Sequence, residues 1–80
     1  MSNGKDPTAL EVMKRLENFL TRSSGLPFCA ECLAHEAGIG VDRARRALVE
    51  LRQTLGQLRA ERRWCARCLR WEEVFSMETA

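Results

Sequence analysis

Four cysteines constrain this chain more than any other feature. Cys29 and Cys32 form one C-x2-C pair, Cys65 and Cys68 form a second, and 32 residues separate them. Each C-x2-C presents two sulfurs on one side of a turn or helix start, and two such pairs close a tetrahedron. The opening "MSNGKD" is polar and lacks the basic-then-apolar order of a secretory signal, so a thiol-preserving, cytoplasmic setting is expected and a metal site is preferred over two disulfides. The expected occupant is one structural Zn2+ held by Cys29, Cys32, Cys65 and Cys68. A thiol/disulfide switch and buried free cysteines are the competing readings. The interval between the pairs exceeds that of the usual zinc ribbon, so a complete folded element must lie inside the loop that the metal closes.

Such a staple matters at this size. A chain of 80 residues makes one domain and buries only roughly 60% of the surface that its unfolded form exposes. A closed four-sulfur site leaves no coordination position for water, so it is expected to be structural and not catalytic. His35 follows Cys32 by three residues and on a helix could face the same side as a substitute ligand; the alternative is an ordinary helix-end imidazole.

The formal net charge of +2 conceals a division along the chain. Residues 1–40 are slightly acidic, residues 41–70 hold nine arginines against Asp42, Glu50 and Glu61, and residues 71–80 add three glutamates. Arginine forks onto phosphate or a guanine edge and keeps its charge at physiological pH, but it also decorates solvated helix faces. Four thiolates around Zn2+ contribute a net charge of about −2, so affinity for a polyanion depends on where the arginines sit. Hydrophobic residues make up 45% of the chain and no run of apolar residues is long enough to span a bilayer, which points to a soluble folded domain with no membrane partner.

Periodicity supplies the elements. "DPTALEVMKRLENFL" offers Asp6 or Thr8 as N-cap, with Thr8-x-x-Glu11 as a capping box, and an apolar stripe of Ala9, Val12, Met13, Leu16, Phe19 and Leu20. Gly25 ends this helix. Pro27 biases Leu26 toward extended backbone, so "LPF" is a short strand at most. A second helix is expected from about Cys29 to Ala37, stopped by Gly38, with Cys29 and Cys32 in its first turn. A third runs from about Val41 to Leu55, burying Val41, Ala44, Leu48, Leu51 and Leu55. Arg46 and Gln53 point directly away from that stripe, Asp42, Arg43, Val49 and Glu50 lie outward, and Arg45 and Arg52 flank it. Beyond Gly56, alternation at Leu58, Ala60 and Trp64 and again at Leu69, Trp71 and Phe75 indicates two antiparallel strands, about 57–64 and 69–75, joined by "CARC" as a metal knuckle.

Helix, short strand, helix, turn, helix and hairpin is an order that resembles the winged helix-turn-helix family. Leu33, Ala34, Ala37, Gly38, Ile39, Ala44, Ala47 and Leu48 are spaced like that family's two central helices, with a small residue in the first, glycine in the turn and apolar residues locking the second across it. The resemblance covers residues 8–76 and implies a mainly α fold, three helices with a C-terminal β-hairpin, flanked by disordered tails at 1–7 and 77–80. It implies that the third helix is the recognition helix, with Asp42, Arg43, Arg45, Arg46 and, farther along the same face, Gln53 turned toward nucleic acid. Arg59, Arg62, Arg63 and Arg67 then lie on or near the wing. The wing turn departs from the family in being a metal knuckle instead of a long flexible loop. Asp42 has to accept from cytosine N4 or pair with Arg45 or Arg46 to avoid repelling phosphate.

The resemblance implies sequence-specific binding of double-stranded DNA by a small bacterial transcription regulator. The alternative is a protein-interaction module on the same scaffold, which outward Val49 and Glu50 and the acidic tail Glu72, Glu73 and Glu78 favour. Enzymatic activity is not expected: one histidine, no phosphate loop and no paired-carboxylate cleft leave only redox chemistry at C-x2-C. The sequence fixes neither the DNA site nor the oligomeric state.

Overall fold

The structure, a computed structural model, describes residues 7–78. The elements, in chain order, are α1 (Ala9–Arg22), β1 (Phe28–Cys29), α2 (Ala30–Ala37), α3 (Val41–Thr54), β2 (Leu58–Trp64) and β3 (Trp71–Met77). The first helix begins at the expected capping box: the Glu11 amide donates to Thr8 Oγ1 at 3.1 Å, and the Thr8 amide donates to Glu11 Oε1 at 2.9 Å. Two donors that a helix start leaves unsatisfied are thereby paired. Val12, Leu16 and Leu20 are buried, and α1 ends as the backbone turns left-handed at Ser24 (φ 55°) and Gly25 (φ 86°).

Between α2 and α3 the chain reverses at Gly38, whose φ of 75° is the conformation that glycine adopts without a Cβ clash. Arg15 reaches across from α1 and donates from Nη1 to the Ala37 carbonyl at 2.8 Å, placing a cation where the dipole of α2 is negative. The inward face of α3 carries Ala44, Ala47, Leu48 and Leu51, with Val41 and Leu55 half-buried at its ends. All of these except Ala44 meet Leu16, Leu20, Leu33, Phe28, Val74 and Phe75 in one core. Phe19 of α1 packs against Phe28 at a ring-centroid distance of 4.9 Å.

The strands correct the expectation of a C-terminal hairpin standing alone. They form a three-stranded antiparallel sheet in the order β1-β3-β2, with Phe28 opposite Phe75 and Cys29 opposite Val74. Two residues before α2 thus tie the first half of the chain to its last strand. The last strand also runs later than expected. It begins at Trp71 because residues 65–70 make the turn, and it continues to Met77, which pairs with Leu58. The Glu78 amide donates to the Gln57 carbonyl at 2.7 Å, so the expected fraying does not begin at Met77. Residues 1–6 and 79–80 of the expected tails lie outside the described residues.

A second correction concerns the faces of the hairpin. Trp64, Leu69 and Trp71 take apolar positions of the alternation, yet they are 60%, 69% and 54% exposed. Alternation decides which side chains share a face; burial also needs something packed over that face. Along this ribbon the core ends at Leu58 and at Val74, Phe75 and Ser76.

Candidate metal centre

Two local structures deliver the four sulfurs. Cys29 ends β1 and occupies the N-cap of α2, and Cys32 lies one turn into that helix. Cys65 and Cys68 sit in the β2–β3 turn, where the Leu69 amide donates to the Cys65 carbonyl and the Cys65 amide to the Arg70 carbonyl, each at 3.0 Å. Leu69 takes a φ of 62° to complete this knuckle. The knuckle is docked: the Ala66 amide donates to the Pro27 carbonyl at 2.8 Å, and the Cys29 amide donates to Cys65 Sγ at 3.4 Å. The turn between the strands is therefore held against the start of α2 instead of projecting as a free wing tip.

All four Sγ atoms lie within 4.8 Å of one another, and Cys29–Cys68 and Cys32–Cys65 are separated by 3.7 Å. All four cysteines are free, with those distances far beyond a disulfide bond of about 2.05 Å. Sulfurs about 2.3 Å from a central ion at tetrahedral angles stand about 3.8 Å apart, so the cross-pair distances fit one metal ion. They leave no space for an iron–sulfur cluster, whose several metal atoms force the thiolates farther apart. The four cysteines can therefore hold a metal.

The surroundings favour a cation among the sulfurs. Burial pushes the Cys29 and Cys32 thiols up, and at Cys32 the neighbouring sulfurs raise it further. At Cys65 burial acts the same way, but the amides of Cys68, Cys29 and Arg67 outweigh it and bring the thiol down to about 6. The Arg67 amide donates to Cys65 Sγ at 3.4 Å. One thiolate is thus prepared by the backbone, and ionising the others so close to it requires a positive ion. Cys29 and Cys65 are fully buried, whereas Cys32 and Cys68 are half-buried.

His35 is exposed in the last turn of α2 and stands outside the sulfur cluster. Arg70, absent from the expected site residues, is a charged side chain close to the site. The nearby Cys68 thiol helps to hold its guanidinium protonated, as do its pairings with Glu31 and, at 3.4 Å, with Glu72. That contact is ionic without hydrogen-bond geometry, and it is the only partner that Glu72 Oε2 meets among the described residues. The signal was available in "CARCLRW", since a residue two places beyond a knuckle cysteine is brought back toward the sulfurs by the turn.

The arginines divide into engaged and free. Arg59 pairs with Glu78 at 3.7 Å, Arg63 with Glu61 at 3.3 Å and Arg67 with Glu36 at 3.0 Å. Arg43 is half-buried and donates from Nη2 to the Pro7 carbonyl at 2.6 Å, so the expectation that it points outward is corrected: the start of α1 supplies a carbonyl within its reach. Arg45, Arg46, Arg52 and Arg62 are exposed and have no carboxylate at ion-pair distance among the described residues. Asp42 and Gln53 are exposed on α3. The fold brings Arg45 of α3 and Arg62 of β2 to one groove, lined also by Ala30, Glu72 and Glu73. Val49, 56% exposed, interrupts the charged face of α3 with an apolar side chain.

The chain matches no protein-family model, no curated protein and no solved structure. Among the described residues no helix is long and apolar enough to cross a membrane.

Proposed function

We propose that this chain is a winged helix-turn-helix module, stapled by Zn2+ at Cys29, Cys32, Cys65 and Cys68, that binds double-stranded DNA through α3. The element order helix, strand, helix, helix, strand, strand supports the fold reading. Zinc suits four thiolates in tetrahedral array, has no redox chemistry to disturb them and needs no further ligand. The metal's part is mechanical. It fixes the knuckle to the N-cap of α2, and α3, enclosed within the loop between the cysteine pairs, is held with its apolar face in the core.

The observation that carries the reading is the distribution of unpaired charge. The knuckle and hairpin arginines Arg59, Arg63, Arg67 and Arg70 are matched with carboxylates, whereas Arg45, Arg46 and Arg52 of α3 and Arg62 beside it have no carboxylate partner among the described residues and can meet phosphates or base edges. Asp42 and Gln53 supply polar base contacts on the same helix. The hairpin then acts as a brace at the helix flank through Arg62, and its docked knuckle does not enter a groove.

Salt dependence tests this partition. Four arginine–phosphate contacts give a slope of log K against log salt of about −3.6, whereas the full set of nine hairpin and helix arginines gives about −8. A slope near zero defeats the reading. Arg46→Ala is expected to weaken binding by about 1–3 kcal/mol if Arg46 reads a base, with relaxed preference at one position. Exposed Val49 favours a second reading, a protein-interaction module, which predicts that Val49→Asp abolishes capture of a protein partner while no duplex sequence is preferred.

A further inference from the structure

The chain holds two tryptophans and no tyrosine, and the fold places both indoles side by side in solvent. Trp64 closes β2 and Trp71 opens β3; they are cross-strand partners whose rings meet edge to face at a centroid distance of 5.4 Å and an interplanar angle of 77°. Such an edge-to-face pair favours the closed hairpin end. Each tryptophan nonetheless stays more than half exposed, and neither contributes to the core. The metal knuckle follows directly, anchored to Pro27 and Cys29, so this end of the ribbon is rigid where hairpin ends commonly fray.

The polar surroundings select an occupant. Arg62 precedes Trp64 by two residues and therefore shares its face of the ribbon. It stands across from Glu73 without forming an ion pair and lines a groove with Arg45, Glu72 and Glu73, so two guanidiniums without an ion pair among the described residues lie between the indoles and α3, with two carboxylates in the same groove. Exposed aromatic rings beside arginines that lack acidic partners match a base with its attached phosphate: the ring takes the π-face and the guanidinium takes the charge. An apolar protein segment would use the indoles and leave Arg62 and Arg45 unmatched.

We infer that the Trp64–Trp71 pair, with Arg62 beside it, is a stacking site for unpaired nucleobases in single-stranded DNA or RNA. The inference rests on the nucleic-acid reading of α3 for the direction in which the strand leaves the site, and otherwise stands on the indoles. Stacking dominates its affinity. With Arg62 and Arg45 as the phosphate contacts, the salt slope for a single strand is about −1.4, shallower than that for a duplex at α3.

The test uses the metal-loaded full chain and four probes: ten-nucleotide oligothymidylate, oligouridylate, an abasic strand of equal length, and a blunt duplex. Both indoles of the chain lie at the site, so intrinsic fluorescence reports its occupancy directly. Saturable quenching by the base-bearing strands, with the abasic strand binding at least several-fold more weakly, is expected. Preference for thymidylate or uridylate identifies DNA or RNA as the source of the bases. Fluorescein-labelled strands then report the variants by anisotropy: Trp71→Leu is expected to lose about 5- to 100-fold in affinity, while Trp71→Phe keeps most of it. An unchanged cobalt thiolate absorption band in both variants shows that the knuckle is intact. Equal binding of abasic and base-bearing strands, binding without quenching, or no single-strand binding overturns the inference. So does a Trp71→Leu variant that binds like the parent. The duplex separates the two claims, because loss of duplex binding in Arg46→Ala with single-strand affinity retained speaks to α3 alone.

Discussion

Replacing Cys65 by serine tests the staple at one of its two fully buried ligands. The sulfur is fully buried, accepts from the Cys29 and Arg67 amides and lies 3.7 Å from Cys32. Serine keeps the volume close to the original and can still accept those two amides, so the packing loss is small and the main loss is that of a thiolate ligand. A structural zinc site is worth about 10–16 kcal/mol at neutral pH, or about 2.5–4 kcal/mol for each of four ligands. The chain has about 4–12 kcal/mol of total stability to lose, judged by its length. At about 4–8 °C per kcal/mol for a domain this small, Cys65→Ser is expected to lower Tm by about 10–30 °C in the presence of zinc. Circular dichroism at fixed free zinc measures it, with Ala66→Ser as the control at the exposed next residue. A Cys65→Ser protein that melts within two or three degrees of the control, roughly within the effect of a neutral surface change, refutes the reasoning.

Metal uptake should also release protons. Burial raises the Cys29 and Cys32 thiols above the ordinary thiol range, so both are protonated at neutral pH without metal, and binding must expel at least about two protons. Zinc affinity therefore rises with pH. Because Cys65 titrates at about 6, the loss of affinity steepens as pH falls through that value. Competition against a chromophoric chelator from pH 5 to 8 gives the slope, and a flat profile contradicts the assignment of thiolate ligands. Gly38→Ala is expected to cost about 1 kcal/mol or more, because φ is 75° there and the space around its Cβ position is otherwise open. Urea unfolding checks it, and an unchanged midpoint counts against a strained turn at this residue. Leu48→Ala, at a fully buried position of α3, should cost about 2–5 kcal/mol in the same assay.

Local rules made much of this fold legible. The Thr8 capping box, the inward stripe of α3 and the Gly38 turn each follow from residues within a few positions of one another, and the structure contains all three. The cysteine cluster was legible for a different reason: four ligands of one chemistry at paired spacing admit few geometries. What stayed hidden depends on distant partners. Arg67 meets Glu36 and Arg70 meets Glu31 across 31 and 39 residues, so no window of sequence reveals that these arginines are engaged. Arg43 finds the Pro7 carbonyl across 36 residues. The pairing of β1 with β3 is equally nonlocal, since a strand of two residues has no period of its own to detect. At Trp64 and Trp71 the alternation gave the shared face and said nothing of whether a helix covers it.

The central claim, that α3 presents free arginines to the groove of a duplex from a metal-stapled scaffold, is tested most directly by selection from a random duplex pool at moderate salt with zinc-loaded protein. The account predicts an enriched motif that Arg46→Ala degrades at specific positions and that a strong chelator abolishes. A pool that leaves selection as random as it entered, or a motif indifferent to both Arg46 and zinc, contradicts it.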